Sequence, residues 1–87
     1  MTYYYLRKEN KEKWVESLRS GKFKQSRGKF KDNGEYCALG VYYNIFKADK
    51  DDLFSTPLYF QIILLNDIKN YSFNEIADWV EENVMGV

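Results

Sequence analysis

The chain holds one cysteine, Cys37, and no histidine. Without an imidazole there is no Ser-His or Cys-His nucleophile pair, no histidine general base and no histidine metal ligand. Cys37 turns nucleophilic only where a helix N-terminus or a neighbouring cation lowers its thiol pKa. Inside the apolar run from Cys37 to Phe46 it reads more readily as a small buried hydrophobe. Asp49, Asp51 and Asp52 crowd together but lack the Gly and trailing Glu of a calcium loop. Glu81 and Glu82 are adjacent, so on a helix they point about 100° apart and form no carboxylate pair. Gly21, Gly28, Gly34 and Gly40 are isolated and cradle no phosphate. An enzyme or small-ligand site is left with Gln25 and Cys37, and the sequence predicts neither a cofactor nor a metal.

Binding has more to work with. Lys22, Lys24, Arg27, Lys29 and Lys31 fall within ten residues, with Phe23 and Phe30 interleaved. Cations that neutralise phosphates, beside aromatics that stack on bases, can hold single-stranded nucleic acid. The alternation also fits short strands whose Phe rings face a core while the cations meet water. Over the whole chain the formal charge is zero, yet residues 1–31 carry ten Lys/Arg against three Glu, a net +7, and residues 32–87 carry the balancing −7. Either the two halves attract each other within the fold, or a basic face meets an anionic partner.

The elements that would position these residues are legible in part. Residues 3–6 (Tyr-Tyr-Tyr-Leu) read as a short strand or an aromatic arm packing on the core. A helix is predicted from Lys11 to Arg19, with Asn10 as N-cap, Trp14, Val15 and Leu18 on its buried face, and Gly21 as a left-handed terminator. Asp32-Asn33-Gly34 marks a hairpin turn joining the Phe30 and Tyr36 regions. Residues 37–46 suit a helix or a buried strand, with helix preferred for the small Ala38 and Gly40. Lys47–Leu53 reads as a polar loop. Ser55-Thr56-Pro57 opens a helix with Leu58, Ile62 and Leu65 on one face, and Asn66–Tyr71 reads as a connector. Ser72-Phe73-Asn74-Glu75 is a capping box that starts a final helix to about Val84, with Phe73, Ile76, Ala77 and Val80 as its buried stripe. The expected fold is α+β: one domain over residues 1–87, a β-hairpin or small antiparallel sheet packed on three or four helices.

Eighty-seven residues can build one hydrophobic core, and 45% apolar residues with eight Tyr, six Phe and two Trp supply it. A lone cysteine fits a reducing compartment, and no apolar run reaches signal-peptide or membrane-span length. Cytoplasm is the expected location, without membrane attachment.

Two resemblances extend this reading. The segment from Leu64 to Val80, with its Ser-Phe-x-Glu-Ile-Ala helix, resembles the first two helices of a DNA-binding helix-turn-helix. A recognition helix should then follow, but the sequence supplies only a few more residues, and the Glu75/Asp78/Glu81/Glu82 helix has the wrong sign for phosphates. The second resemblance covers most of the chain. Trp14-x-x-x-Leu18-Arg19-Ser20-Gly21-Lys22-Phe23-Lys24-Gln25-x-x-Gly28-x-Phe30, Tyr36-Cys37-x-Leu39-Gly40-Val41, Leu65-Asn66-Asp67 and Ser72-Phe73-x-Glu75-Ile76-Ala77-Asp78 are similar to a family of small bacteriophage- and prophage-encoded proteins. Members often carry further cysteines where this chain has Ala38 and Tyr43, which argues against a metal or dithiol role here. The resemblance implies an accessory protein that binds a host or phage macromolecule, inhibition of a host defence protein being one such role. Nucleic-acid binding through residues 22–31 and a small-ligand site at Gln25 and Cys37 are the alternatives.

Overall fold

In a computed structural model, residues 4–28, 31–46 and 57–87 are described, with Lys31 and Asp32 described by their backbone alone. Four helices and two small sheets form an α+β domain. Strand β1 (Tyr4–Leu6) leads into helix α1 (Lys8–Arg19), then come β2 (Lys24–Gln25), β3 (Lys31–Asp32) and β4 (Glu35–Tyr36), followed by α2 (Ala38–Ile45). Helix α3 (Pro57–Ile63) runs on without a break into a π-helical turn (Leu64–Ile68), and α4 (Phe73–Asn83) passes into β5 (Val84–Gly86).

Helix α1 starts three residues before the sequence prediction, and its cap differs. Arg7 is the N-cap position but its side chain does not cap the helix, while Asn10 lies buried inside the helix. The reason is tertiary: the Val87 carbonyl accepts from the first helical amide, Lys8 N, at 3.1 Å, so a distant strand supplies part of the cap. The far end matches expectation, with Gly21 at φ +76° just past the last turn. On the inner face Trp14, Val15 and Leu18 are buried. The Trp14 indole donates to the Ala38 carbonyl at 3.0 Å and meets the Tyr42 ring edge-on at 5.3 Å.

The predicted hairpin is present. Asn33 (φ 51°) and Gly34 (φ 82°) take the left-handed conformations of a tight turn, and β3 pairs antiparallel with β4 in the register Lys31↔Tyr36, Asp32↔Glu35. The hairpin is extended on the other edge of β4 by β2, which joins in parallel. Of the second sheet only the first strand was foreseen. There β1 pairs in parallel with β5, Tyr4 opposite Val84, Tyr5 opposite Met85 and Leu6 opposite Gly86. Strand β5, three residues long, has too few alternations to announce itself, and only its partner defines it.

Residues 37–46 form the preferred helix. Its N-cap is Cys37, whose sulfur accepts from Gly40 N at 3.4 Å. Pro57 opens α3, and Leu58, Ile62 and Leu65 are buried as the spacing requires. The residues expected to cap α3, Ser55 and Thr56, lie outside the described residues, as does the predicted loop 47–53. The connector is shorter than predicted: helical structure persists to Ile68, so Asn66 and Asp67 belong to the π turn. It closes when Tyr71 N bonds Leu65 O at 2.9 Å over Asn70, at φ 57°. In α4 the capping box is complete, with Ser72 N donating to Glu75 Oε1 at 2.9 Å and Glu75 N to Ser72 Oγ at 3.2 Å. Phe73, Ile76, Ala77 and Val80 face the core. After α4 the chain enters β5 directly, so the helix-turn-helix likeness ends with a strand where a recognition helix would begin.

The fold predicts that replacing Ser72 with Ala removes one arm of the capping box and lowers stability by about 1 kcal/mol. Thermal unfolding followed by circular dichroism checks it, and an unchanged midpoint would contradict the assigned cap.

Candidate functional site

The residues singled out by the sequence converge on one buried side chain that the sequence reading had placed in a connector. Asn66, 1% exposed, sits on the π turn. Its Oδ1 accepts from Gln25 Nε2 at 2.8 Å and from Ala38 N at 3.3 Å. Its Nδ2 donates to the Ser26 carbonyl at 3.0 Å and to Asp67 Oδ1 at 2.7 Å. A carboxamide offers two donor hydrogens and two acceptor lone pairs, and all four are used. Asp67 Oδ1 also accepts from Gly28 N at 2.8 Å, at a glycine held at φ +86°. The Gln-x-x-Gly, Cys-x-Leu-Gly and Leu-Asn-Asp motifs thus meet here.

Gln25 and Cys37 are therefore brought near each other, but as framework. Gln25 spends its amide nitrogen on Asn66 and on the Tyr71 carbonyl at 2.8 Å. Cys37 is 5% exposed. Burial pushes its thiol pKa up, and the Asp67 charge adds to that, against the lowering pull of the Gly40 and Leu39 amides. A protonated, covered thiol is a poor nucleophile.

The basic segment is divided. Lys22 is exposed. Lys24 is exposed and pairs loosely with Glu35, 3.7 Å away and directly opposite in the β2–β4 register. Arg27, itself exposed, lies back along the surface and donates to the main-chain carbonyls of Asn66, Asn70 and Tyr71 around the end of the π turn. Cations favour the carbonyl end of a helix, so Arg27 acts as a clamp there. Lys29 lies outside the described residues, and of Lys31 only the backbone on β3 is described. Phe23 stands edge-on to Tyr36 with ring centres 5.4 Å apart, which leaves that ring occupied. Of the five cations only Lys22, Lys24 and Arg27 have described side chains: the two lysines stand in solvent, while Arg27 lies back along the π turn. The sequence reading missed Asn66 and Arg27 as structural centres; the only available signal was that Leu-Asn-Asp and Gln-x-x-Gly recur together in the resemblance.

Two outcomes follow. Replacing Asn66 with Ala leaves Gln25, Ala38 and Ser26 with unmet buried polar groups, and should cost about 3 kcal/mol or more in urea unfolding; a loss near zero would show that water replaces the amide. Cys37 should resist a disulfide reagent at pH 8 until denaturant is added, as read by thiolate absorbance. Its folded pKa lies above its unfolded value, so its contribution to stability is full below the unfolded pKa and is lost as pH rises through the folded pKa. Urea midpoints compared with those of Cys37→Ala across this range test that sign.

Among the described residues no helix is long and apolar enough to cross a membrane. No curated protein and no solved structure matches the chain. A family model described as a domain of unknown function, DUF8296, matches residues 6–61. The match takes in α1, the three-stranded sheet, α2 and the opening of α3, with Gln25, Gly28 and Cys37 inside it and Asn66 beyond it. Because that span covers more than half of the 87 residues, the chain belongs to the DUF8296 family.

Proposed function

We propose that this protein works by contact: an accessory protein that binds a protein partner and blocks or redirects it. The observation that carries the reading is a pair of large apolar side chains left in solvent. Phe60 is 70% exposed and Ile68 68% exposed, on the continuous rod formed by α3 and the π turn. Isolated surface apolar residues are ordinary, but two so open on one helical element suit a partner that supplies apolar cover. The internal use of Gln25, Asn66 and Arg27, and the covered Cys37 thiol, leave little chemistry on offer nearby. The resemblance to phage-encoded proteins extends the proposal to a host-cell target in the cytoplasm, with a defence protein as the leading class. Lys22 and Lys24, both exposed, support a second reading in which the hairpin side contacts nucleic acid.

The experiment has two arms. A partner recovered from host lysate is purified and titrated calorimetrically against the wild type, against Phe60→Asp with Ile68→Asp, and against Lys22→Glu with Lys24→Glu. Contact through the rod predicts at least a tenfold loss for the first variant and little change for the second. A loss confined to the lysine variant, with strong salt dependence on oligonucleotides, would move the function to nucleic acid. Equal binding by all three would overturn the assigned surface.

A further inference from the structure

Asn33 and Gly34 form the tip of the β3–β4 hairpin, and both stand in solvent. Asparagine is a thermolabile side chain. Its carboxamide is open to attack by the backbone nitrogen of the next residue, and the attack is least hindered where that residue has no side chain. Of the chain's asparagines only Asn33 precedes a glycine. Nothing lies within 4 Å of the place a Cβ on Gly34 would occupy, so the peptide group there is uncrowded. Asn70 supplies the comparison. It too is exposed and left-handed, at φ 57° against 51° for Asn33. The amide that follows it, Tyr71 N, is held by Leu65 O at 2.9 Å and belongs to a bulky residue. The Gly34 amide has no hydrogen-bond partner among the described residues. Asn10 and Asn66 are buried, and Asn44, Asn74 and Asn83 sit in helices.

A left-handed residue holds the following amide turned away from its own side chain, so the tip must open before attack. The hairpin resists little, because β3 and β4 are two residues each. We propose that Asn33 is a site of spontaneous covalent modification by water, whose isoaspartyl product frees β3 while β4 stays in place. The Gly34 nitrogen gives up its proton and bonds to the side-chain carbonyl carbon of Asn33. The bond from that carbon to the side-chain nitrogen breaks, and the nitrogen leaves as ammonia with the proton made up. The cyclic imide that remains takes up water at either of its two carbonyls. Opening at the side-chain carbonyl leaves an aspartyl residue in an ordinary backbone. Opening at the main-chain carbonyl leaves an isoaspartyl residue, with the chain routed through the former side chain. That link carries an extra backbone carbon, so the tight turn no longer sets the register Lys31↔Tyr36, Asp32↔Glu35. The damage stays local because β4 is held from its other edge. Ser26 N donates to Tyr36 O at 2.8 Å, Gln25 pairs with Tyr36, and Asn66 ties Gln25 to the Ala38 amide. Strand β3 has β4 as its one neighbour among the described residues. Since Tyr36 bonds toward β2, the alternation of the strand turns the Glu35 amide toward β3. This chemistry is independent of the Phe60–Ile68 surface, and either can fail without the other.

The full chain, held for days in mildly alkaline buffer either folded or in urea, tests the assignment by peptide mass mapping. The folded chain should gain the mass difference between an amide and an acid at position 33, ahead of any gain at Asn70 and more slowly than the chain in urea. Hydrogen exchange on the isoaspartyl fraction should speed up at the Glu35 amide and stay slow at the Ser26 amide. Asn33→Gly keeps a left-handed turn without the reactive carboxamide, and should show neither the mass gain nor the faster exchange. Freshly prepared Asn33→Asp carries the new charge without the extra carbon, and should keep Glu35 protected. A folded chain that gains no mass at position 33 while the chain in urea converts overturns the proposal, as does conversion no faster than at Asn70. An isoaspartyl fraction in which Glu35 stays protected, or in which Ser26 loosens equally, overturns the release of β3. Loss of Glu35 protection in fresh Asn33→Asp would assign that release to charge and overturn the backbone argument.

Discussion

One buried carboxamide holds the two ends of this fold's polar framework together. Strands β2, β3 and β4 are two residues each, too short to stand as a sheet on their own. What fastens them to the helices is Asn66, which takes hydrogen bonds from Gln25 on β2 and from the amide opening α2, and gives one to the Ser26 carbonyl. Each bond closes a sequence separation of 28 to 41 residues. In a buried site the alternative to such a bond is an unmet polar group, so the geometry has little freedom to drift. The π turn matters because it places Asn66 and Asp67 together on the sheet side, and Arg27 then anchors the carbonyls that the turn leaves open.

The opposite side of the domain is held by apolar contact. Helices α1 and α4 pack against each other and bury Trp14, Leu18, Ile76 and Val80, and the terminal strands lie together beside them. Charge is secondary here. The described ion pairs, Arg19 with Asp78 at 2.9 Å and Lys24 with Glu35 at 3.7 Å, each join the basic N-terminal half to the acidic C-terminal half. Lys11 also reaches the Glu81 carbonyl at 3.5 Å. Exposed pairs of this kind are worth at most about 1 kcal/mol each. The described pairs engage two of the ten cations of residues 1–31, so they bring the two charge regions together without accounting for the whole division.

The same accounting shapes the functional picture. A sequence reading ranks residues by what they could do, and Gln25, Arg27 and Cys37 rank high. The fold uses the first two for its own hydrogen bonds and covers the third. Phe60, Ile68, Tyr5 and Met85 carry no reactive group and drew no notice in sequence, yet they are what the folded surface presents. The proposed function by contact rests on that inversion.

Local signals were enough where the physics is local. The Ser72 capping box, the Asn33-Gly34 turn, Gly21 after α1 and the stripes of α3 and α4 each depend on residues within a few positions of one another. Those features were legible from the sequence, as was the helix at Ala38–Ile45 from its small residues. The tertiary structure decided everything that depends on a remote partner. Asn10 resembled a cap, but α1 takes its first acceptor from Val87, about eighty residues away in sequence. Asn66 looked like part of a connector because a π turn closing on Asn70 leaves no distinct pattern in composition. Strand β5 exists only because β1 lies beside it. Backbone groups look the same at every position in a sequence, so which of them pair across the molecule is settled only when the core brings them together.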